Sequence, residues 1–382
     1  MDFGVERGRF VAVEPTLNLT GRREIDLKDA PVLPGLVDLH QHIDKAYVLN
    51  QVVAADSLER AILSMERYAR TMTVDDVVQR GRKVYRRLMR GGTCAVRTHV
   101  NIDDLTGLRG VEGVIVLKQE HADRVRTQVV AMPRGNADLR DGAQLERLRT
   151  ALRMGCDAVG GSPSQSGDPR RYVEAVFDLA EETGCLVDLH VDEAQVPDAG
   201  TLEFVARETV RREMMGRVSA GHCSTLSLVD DAAADEIIGL VRAAELNIST
   251  CPFTSLFLQG GGGRVPGFRG LTRVRDLLAA GINVCCGSDN IRDPFNPFGN
   301  GDLVLAALIL GLACRMGTHG ERKTLLATIT EAGAKAMRLS DHGLRKGARA
   351  DLVAFDCAST DDIIAGQPAR RLVLLNGTPV AA

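Results

Sequence analysis

The segment His40-Gln41-His42 closes an apolar run, Leu36-Val37-Asp38-Leu39, that Pro34-Gly35 opens. Side chains alternate along a strand, so the two imidazoles project to one face. At a strand end they are placed to share a metal ion. The spacing alone also occurs on wet surfaces; the buried character of the preceding residues is what favours a metal. Leu189-His190-Val191-Asp192-Glu193 repeats the arrangement: His190 ends an apolar run, and Glu193, three residues on, is expected to reach the same cavity as a proton carrier. Gly221-His222 and Gly287-Ser288-Asp289 end two further runs. Taken singly, each histidine reads best as a satisfied core residue. Four strand ends bearing His, His, His and Asp at matching places point instead to one shared site.

Such a site needs a frame that gathers strand ends. Apolar runs at 36–42, 93–99, 126–132, 157–161, 186–191, 217–222, 247–250 and 282–289 read as strands. Helical patterns lie between them at 75–89, 144–154, 169–183, 202–215, 229–245 and 272–280. Eight strand–helix units in series predict an α/β fold, a (β/α)8 TIM barrel, rather than an open doubly wound sheet. Its chemistry belongs at the C-terminal ends of the strands. The glycine run 260–263 reads as a mobile loop; no following Lys-Ser/Thr makes it a phosphate cradle. Residues 8–34 and 346–382 are rich in β-branched and turn-forming types and predict a small β-domain built from both termini. The division expected is 1–34 and 346–382 for the β-domain and 35–345 for the barrel.

Composition narrows the function. In 382 residues, 45% hydrophobic and 25% charged, the net charge is −3. That balance speaks against a nucleic-acid or anionic-membrane surface. No uncharged apolar run is long enough to span a membrane, and residues 1–10 show no apolar core of a signal peptide. Nine cysteines without repeated C-x-x-C spacing, several inside apolar runs, read as reduced thiols of a cytoplasmic protein. With no Trp and four Tyr, a base- or sugar-stacking surface is not expected.

The segment from Pro34 to His42 resembles the opening signature of the amidohydrolase superfamily, and Gly343-Leu344-Arg345-Lys346-Gly347-Ala348-Arg349-Ala350-Asp351-Leu352-Val353 resembles its closing one. Within it the chain is most similar to cytosine deaminases. The likeness runs through Arg97-Thr98-His99-Val100, His190-Val191-Asp192-Glu193, Leu258-Gln259-Gly260, Gly270-Leu271-Thr272-Arg273-Val274 and on to Asp289 and Asp293-Pro294-Phe295-Asn296-Pro297-Phe298-Gly299. The resemblance implies that His40, His42, His190 and Asp289 bind one divalent metal ion, Zn2+ or alternatively Fe2+. Members with two metals use a lysine at the fourth strand; 158–162 contains none, which implies a mononuclear site. The metal would supply hydroxide at neutral pH. Asp289 and His222 would take the water's proton, and Glu193 would protonate a ring nitrogen and the departing amine. His99 is read as a hydrogen-bonded histidine behind the site, and His121, His319 and His342 as surface residues.

Departures from the pattern bear on substrate. Met132-Pro133-Arg134 stands where cytosine deaminases carry Phe-Pro-Gln, and a guanidinium cannot accept a hydrogen bond from a ring N–H. Asn290 replaces an aspartate after Asp289, and Ser288 replaces a histidine before it. Lys45, in His42-Ile43-Asp44-Lys45, is closer to N-isopropylammelide amidohydrolases, which strip an alkylamine from a triazine ring. Arg134, Asn290 and Lys45 are therefore the expected substrate contacts, Lys45 also polarising a ring carbonyl. The expected substrate is a small carbonyl-rich or anionic amino-heterocycle, with cytosine a poor one. A cyclic amide or lactam hydrolase using the same metal is the rival reaction, and a binding protein on an inactive barrel the rival class; self-association is compatible with either. The family usually starts about two dozen residues earlier with an extra strand pair, so a truncated start or a reduced β-domain is expected.

Overall fold

The computed structural model describes residues 1–381 apart from 19, 54, 56 and 261–267. Fourteen strands are present among the described residues. Two come first, β1 (Asp2–Glu6) and β2 (Arg9–Glu14), then β3 (Val32–Pro34). Eight barrel strands follow: β4 (Leu36–Gln41), β5 (Thr93–Ile102), β6 (Arg126–Pro133), β7 (Ala158–Gly161), β8 (Leu186–Val191), β9 (Val218–His222), β10 (Asn247–Thr250) and β11 (Asn283–Cys286). The last three are β12 (Leu352–Phe355), β13 (Arg370–Leu375) and β14 (Thr378–Pro379).

The barrel strands pair in sequence order, every neighbour parallel. The ring closes where Asp289 N donates to His40 O at 2.8 Å beside a Gln41–Asp289 bridge. Helices cover the outside, so β4, β7, β9 and β10 are buried at every residue. This is why they read as unbroken apolar runs. Turn chemistry sets the helices. In Pro169–Thr183 the Asp168 side chain caps the Arg171 N–H, Pro169 occupies the first turn and Gly184 ends it at φ +72°.

The helix α1 (Leu58–Ala69) was not expected, and the helix α2 (Val74–Gly91) runs slightly beyond the expected 75–89. Helices at Arg109–Glu120, Leu303–Ala313 and His319–Thr328 are further ones that the sequence reading did not name.

The termini come together as two sheets rather than one. β1 and β2 form a hairpin, and β3 joins β12, β13 and β14 in an antiparallel sheet. Phe10, Ala348, Ala350, Leu352 and Leu374 make a small apolar core between them. The hairpin is tied down by Phe10 N to Ala348 O (3.0 Å) and Gly347 N to Phe10 O (2.8 Å). β1 starts at Asp2, ahead of the β-rich stretch expected from residue 8. Of the expected mobile glycine run, 261–263 fall outside the described residues. No described helix is long and apolar enough to cross a membrane.

Candidate active site

The strand ends deliver the histidines to one point. β4 carries His40 and runs into His42; β8 carries His190; β9 ends on His222; Asp289 follows β11. Two glycines make room for His40. A Cβ at Gly221 would stand 3.0 Å from His40 Cε1, and one at Gly287 would stand 2.7 Å from His40 Cβ. Both positions therefore need glycine for close approach. The chain turns sharply as it leaves the strands: His222 has φ +64°, Cys223 +49°, Asp289 +59° and Asp192 +49°. Left-handed backbone at residues other than glycine costs about 1–3 kcal/mol each and clusters at functional sites.

His190 Nε2 lies 3.1 Å from His40 Nε2 and 3.3 Å from His42 Nε2. Asp289 Oδ1 lies 3.4 Å from His42 Nε2 and 3.9 Å from His40 Nε2. Ligands on bonds of about 2.0–2.1 Å at tetrahedral angles stand roughly 3.3–3.4 Å apart. His190 with His40 and His42, and Asp289 with His42, thus stand at about the spacing of neighbours in a metal's coordination shell, and Asp289 lies somewhat farther from His40. Among the described residues, neither Asp289 oxygen has a hydrogen-bond partner, and the Nε2 atoms of His40, His42 and His190 face one another across the cluster. Buried polar atoms are normally satisfied, and donors left facing one another want a cation. Burial holds His40, His42 and His190 well below the ordinary histidine range, in the neutral form a metal needs. Burial also pushes the Asp289 carboxyl up to about 6, against the pull of His222. These residues fit a divalent ion.

His99 also offers a nitrogen within 4.8 Å of donors on His40 and His190. Its Nε2, however, lies 3.1 Å from Asp188 Oδ1, and its carbonyl faces His42 Nδ1 at 3.1 Å. His99 therefore orients His42 from behind. Arg97, fully buried, holds Asp188 at 2.7 Å, Ser219 at 2.9 Å and Gln128 at 2.8 Å, which braces this floor. Asp38 braces the closure: it accepts from Ser288 N at 3.0 Å and from the Ser288 hydroxyl. Neither the Arg97–Asp188 brace nor Asp38 was expected. A lone carboxylate inside an apolar run, as at Asp38, was the available signal.

Above the cluster opens a cavity of about 300 Å³. His42, His190, Glu193, His222 and Asp289 form part of its floor, and Lys45, Arg134 and Asn290 also line it. Glu193 Oε1 stands 3.9 Å from His222 Nδ1. Burial pushes the Glu193 carboxyl up to about 7, opposed by the Lys45 charge. Lys45 Nζ donates to Asn101 Oδ1 at 3.3 Å and sits 4.7 Å above the Phe295 ring. Asn290 donates to Asp293 at 2.7 Å. Arg134 is paired with Glu66 of α1, and its Nε lies 3.8 Å from Asp103 Oδ2. Leu58, Ile62, Met65 and Ala69, on one face of α1, supply an apolar wall that the sequence reading missed. Two of the histidines expected at the surface are half-buried instead: His342 Nε2 meets Gly35 O at 2.8 Å, and His121 stacks on Tyr85.

Residues 82–381 match the sequence profile described as the Amidohydrolase family. The chain is 29% identical over 395 residues to N-isopropylammelide isopropyl amidohydrolase of Pseudomonas sp. (strain ADP), covering 98% of this chain and 92% of that one. It is 29% identical to pterin deaminase of Rhizobium rhizogenes, over 92% of this chain and 81% of that one. The crystal structure of 5-methylcytosine deaminase from Klebsiella pneumoniae liganded with 5-fluorocytosine matches it with a TM-score of 0.92. The identity there is 28%, over 99% of this chain and 93% of that one.

Proposed function

The chain belongs to the amidohydrolase family, and from that premise we propose that it is a mononuclear metal-dependent hydrolase that removes an amine from a small nitrogen heterocycle. The bond broken is C–N, with water adding to the ring carbon and ammonia or an alkylamine leaving. One observation carries the reading: His190 stands 3.1–3.3 Å from His40 and His42, and Asp289 3.4–3.9 Å from the same two, at and beneath the floor of a cavity that also holds a protonatable Glu193.

His40, His42, His190 and Asp289 would hold one ion, Zn2+ or Fe2+; imidazole and carboxylate donors suit both. When bound, it supplies hydroxide at physiological pH by acidifying water. His222 and Asp289 accept the proton and orient the attacking oxygen. Glu193, with its carboxyl raised to about 7, gives a proton to the ring nitrogen next to the attacked carbon and passes one to the leaving amine. Lys45 donates from Nζ to an electronegative ring substituent.

The wall opposite favours a flat or alkylated molecule: the α1 face is apolar, while Lys45, Asn101 and Asn290 offer polar contacts. Relatives named for ammelide, pterin and 5-methylcytosine support an amino-heterocycle of this size. A carbonyl-rich ring suits Lys45 best, with Arg134 and Asn290 reading its edge. Nine free cysteines and a net charge of −3 support action on small molecules in the cytoplasm, away from nucleic acid.

The test is release of ammonia or alkylamine by metal-loaded protein across a panel of amino-triazines, amino-pyrimidines and pterins. Turnover that disappears on chelation and returns with Zn2+ or Fe2+ is expected. Ring opening without amine release would assign the cyclic amide reaction instead, and no turnover of any amino-heterocycle would refute the reading.

A further inference from the structure

Cys251 directly follows β10, is fully buried and has no part in the reaction above. It does not stand alone. His40, His222, Cys251 and Asp289 each present one donor atom, and these four atoms lie within 4.8 Å of one another. Among the described residues, both ring nitrogens of His222 and both oxygens of Asp289 lack a hydrogen-bond partner. Glu193 approaches His222 only to 3.9 Å. Among the described residues the sulfur has one weak polar contact, the Ser249 hydroxyl at 3.9 Å. Two buried, unpartnered groups therefore converge on a thiol beside the first metal position.

We propose that Cys251, His222 and Asp289 form a second metal site that takes soft divalent ions and inhibits the enzyme. It rests on the proposed first ion at His40, His42, His190 and Asp289. A carboxylate has two oxygens, so Asp289 can give one to each ion, as in paired-metal sites where ions stand about 3.5–4 Å apart. The second ion completes its shell with one imidazole nitrogen and one sulfur. The thiol loses its proton to solvent as the sulfur–metal bond forms, and no atom changes oxidation state. A thiolate donor selects Cd2+ or excess Zn2+ over Mg2+ and Mn2+, which prefer oxygen. Repulsion between the ions makes the second weaker than the first. Occupation removes the His222 nitrogen that handles the water's proton, so binding stops turnover.

The experiment titrates Cd2+ into native protein that retains one ion per chain after dialysis, with the first ion quantified in the same samples. Equilibrium dialysis, the ultraviolet charge-transfer band of a Cd–thiolate bond, and turnover are followed together. A second equivalent should bind, with the band rising and turnover falling at one midpoint, while Mg2+ and Mn2+ do neither. Cys251→Ser should keep the first ion, lose the band and weaken the second equivalent by about 100-fold or more, since even supporting residues of a metal site are worth about 10–100-fold. His222→Asn keeps the thiol and should weaken the second equivalent similarly, which serves if Cys251→Ser does not fold. Saturation at one ion with no thiolate band, or a second equivalent that neither substitution weakens, overturns the proposal. A dialysed native protein that holds no ion refutes the first site as well, and is told apart by that measurement alone.

Discussion

Replacing Glu193 by glutamine separates its chemistry from its place in the fold. Burial moves this carboxyl from 4.5 to about 7, which sets its charged form about 3 kcal/mol above an exposed one. The folded value is raised, so the stability linked to the neutral carboxyl is complete below about pH 4.5 and is lost as pH rises through about 7. Glutamine keeps the shape and never ionises. In metal-free protein, Glu193→Gln should therefore match the native chain at pH 4.5 and exceed its stability by up to about 3 kcal/mol above pH 7. Thermal unfolding across pH reads this directly. Turnover should move the opposite way. Losing a positioned proton carrier costs about 10²–10⁴-fold, so the loaded variant should retain its metal while kcat falls by that factor. A variant that is stabilised at high pH yet loses less than tenfold in rate would show that Glu193 is merely a buried carboxyl. One that loses its metal would make Glu193 a ligand.

The first ion should be one per chain after dialysis, and His190→Ala should abolish both it and turnover; elemental analysis showing two ions retained, or activity without metal, would contradict the assignment. Its affinity should depend on pH through Asp289, raised to about 6 by burial. Below that value one proton must leave for each ion bound, so affinity should climb about tenfold per pH unit and flatten above it, which competition with a chelator would measure. Arg134→Gln and Lys45→Thr should change the ranking of heterocycles, since contacts to ring substituents can discriminate by up to about 10⁴–10⁵-fold. Efficient deamination of cytosine by the native protein, or a ranking indifferent to both substitutions, would remove these cations from recognition.

The barrel was legible because its strands are buried on both faces, and unbroken apolar runs with polar ends are what such burial leaves in a sequence. The eight runs fall on the eight barrel strands. Their ends differ where backbone, not side-chain type, decides. β5 continues to Ile102 because it pairs with β6 up to Pro133. β11 stops at Cys286 because Gly287 must pass His40 and Asp289 turns to positive φ. The helix at Leu303–Ala313 is nearly all apolar, so it carries no periodic signal. α1 did carry one, with Ser57 capping the Arg60 N–H and apolar residues recurring at three- and four-residue steps. What no local pattern could give is where α1 packs.

That difference divides the site. The donor atoms sit on strand ends whose positions follow from barrel closure, so residue type and spacing were enough to gather them. The proposed substrate contacts depend on pairings between distant segments: Arg134, just after β6, meets Glu66 on α1 and Asp103 after β5. The guanidinium expected from sequence to contact substrate is therefore already balanced by carboxylates. Desolvating such a pair is costly, and removing one partner exposes the charge of the other. Arg134 can serve a substrate anion only if that anion takes over from Glu66. A neutral, carbonyl-bearing ring makes no such demand, because Lys45 can meet its oxygen while the Arg134–Glu66 pair stays intact. On the proposed assignment of Arg134 and Lys45, the packing of α1 therefore predicts faster turnover of neutral carbonyl-bearing heterocycles than of anionic ones.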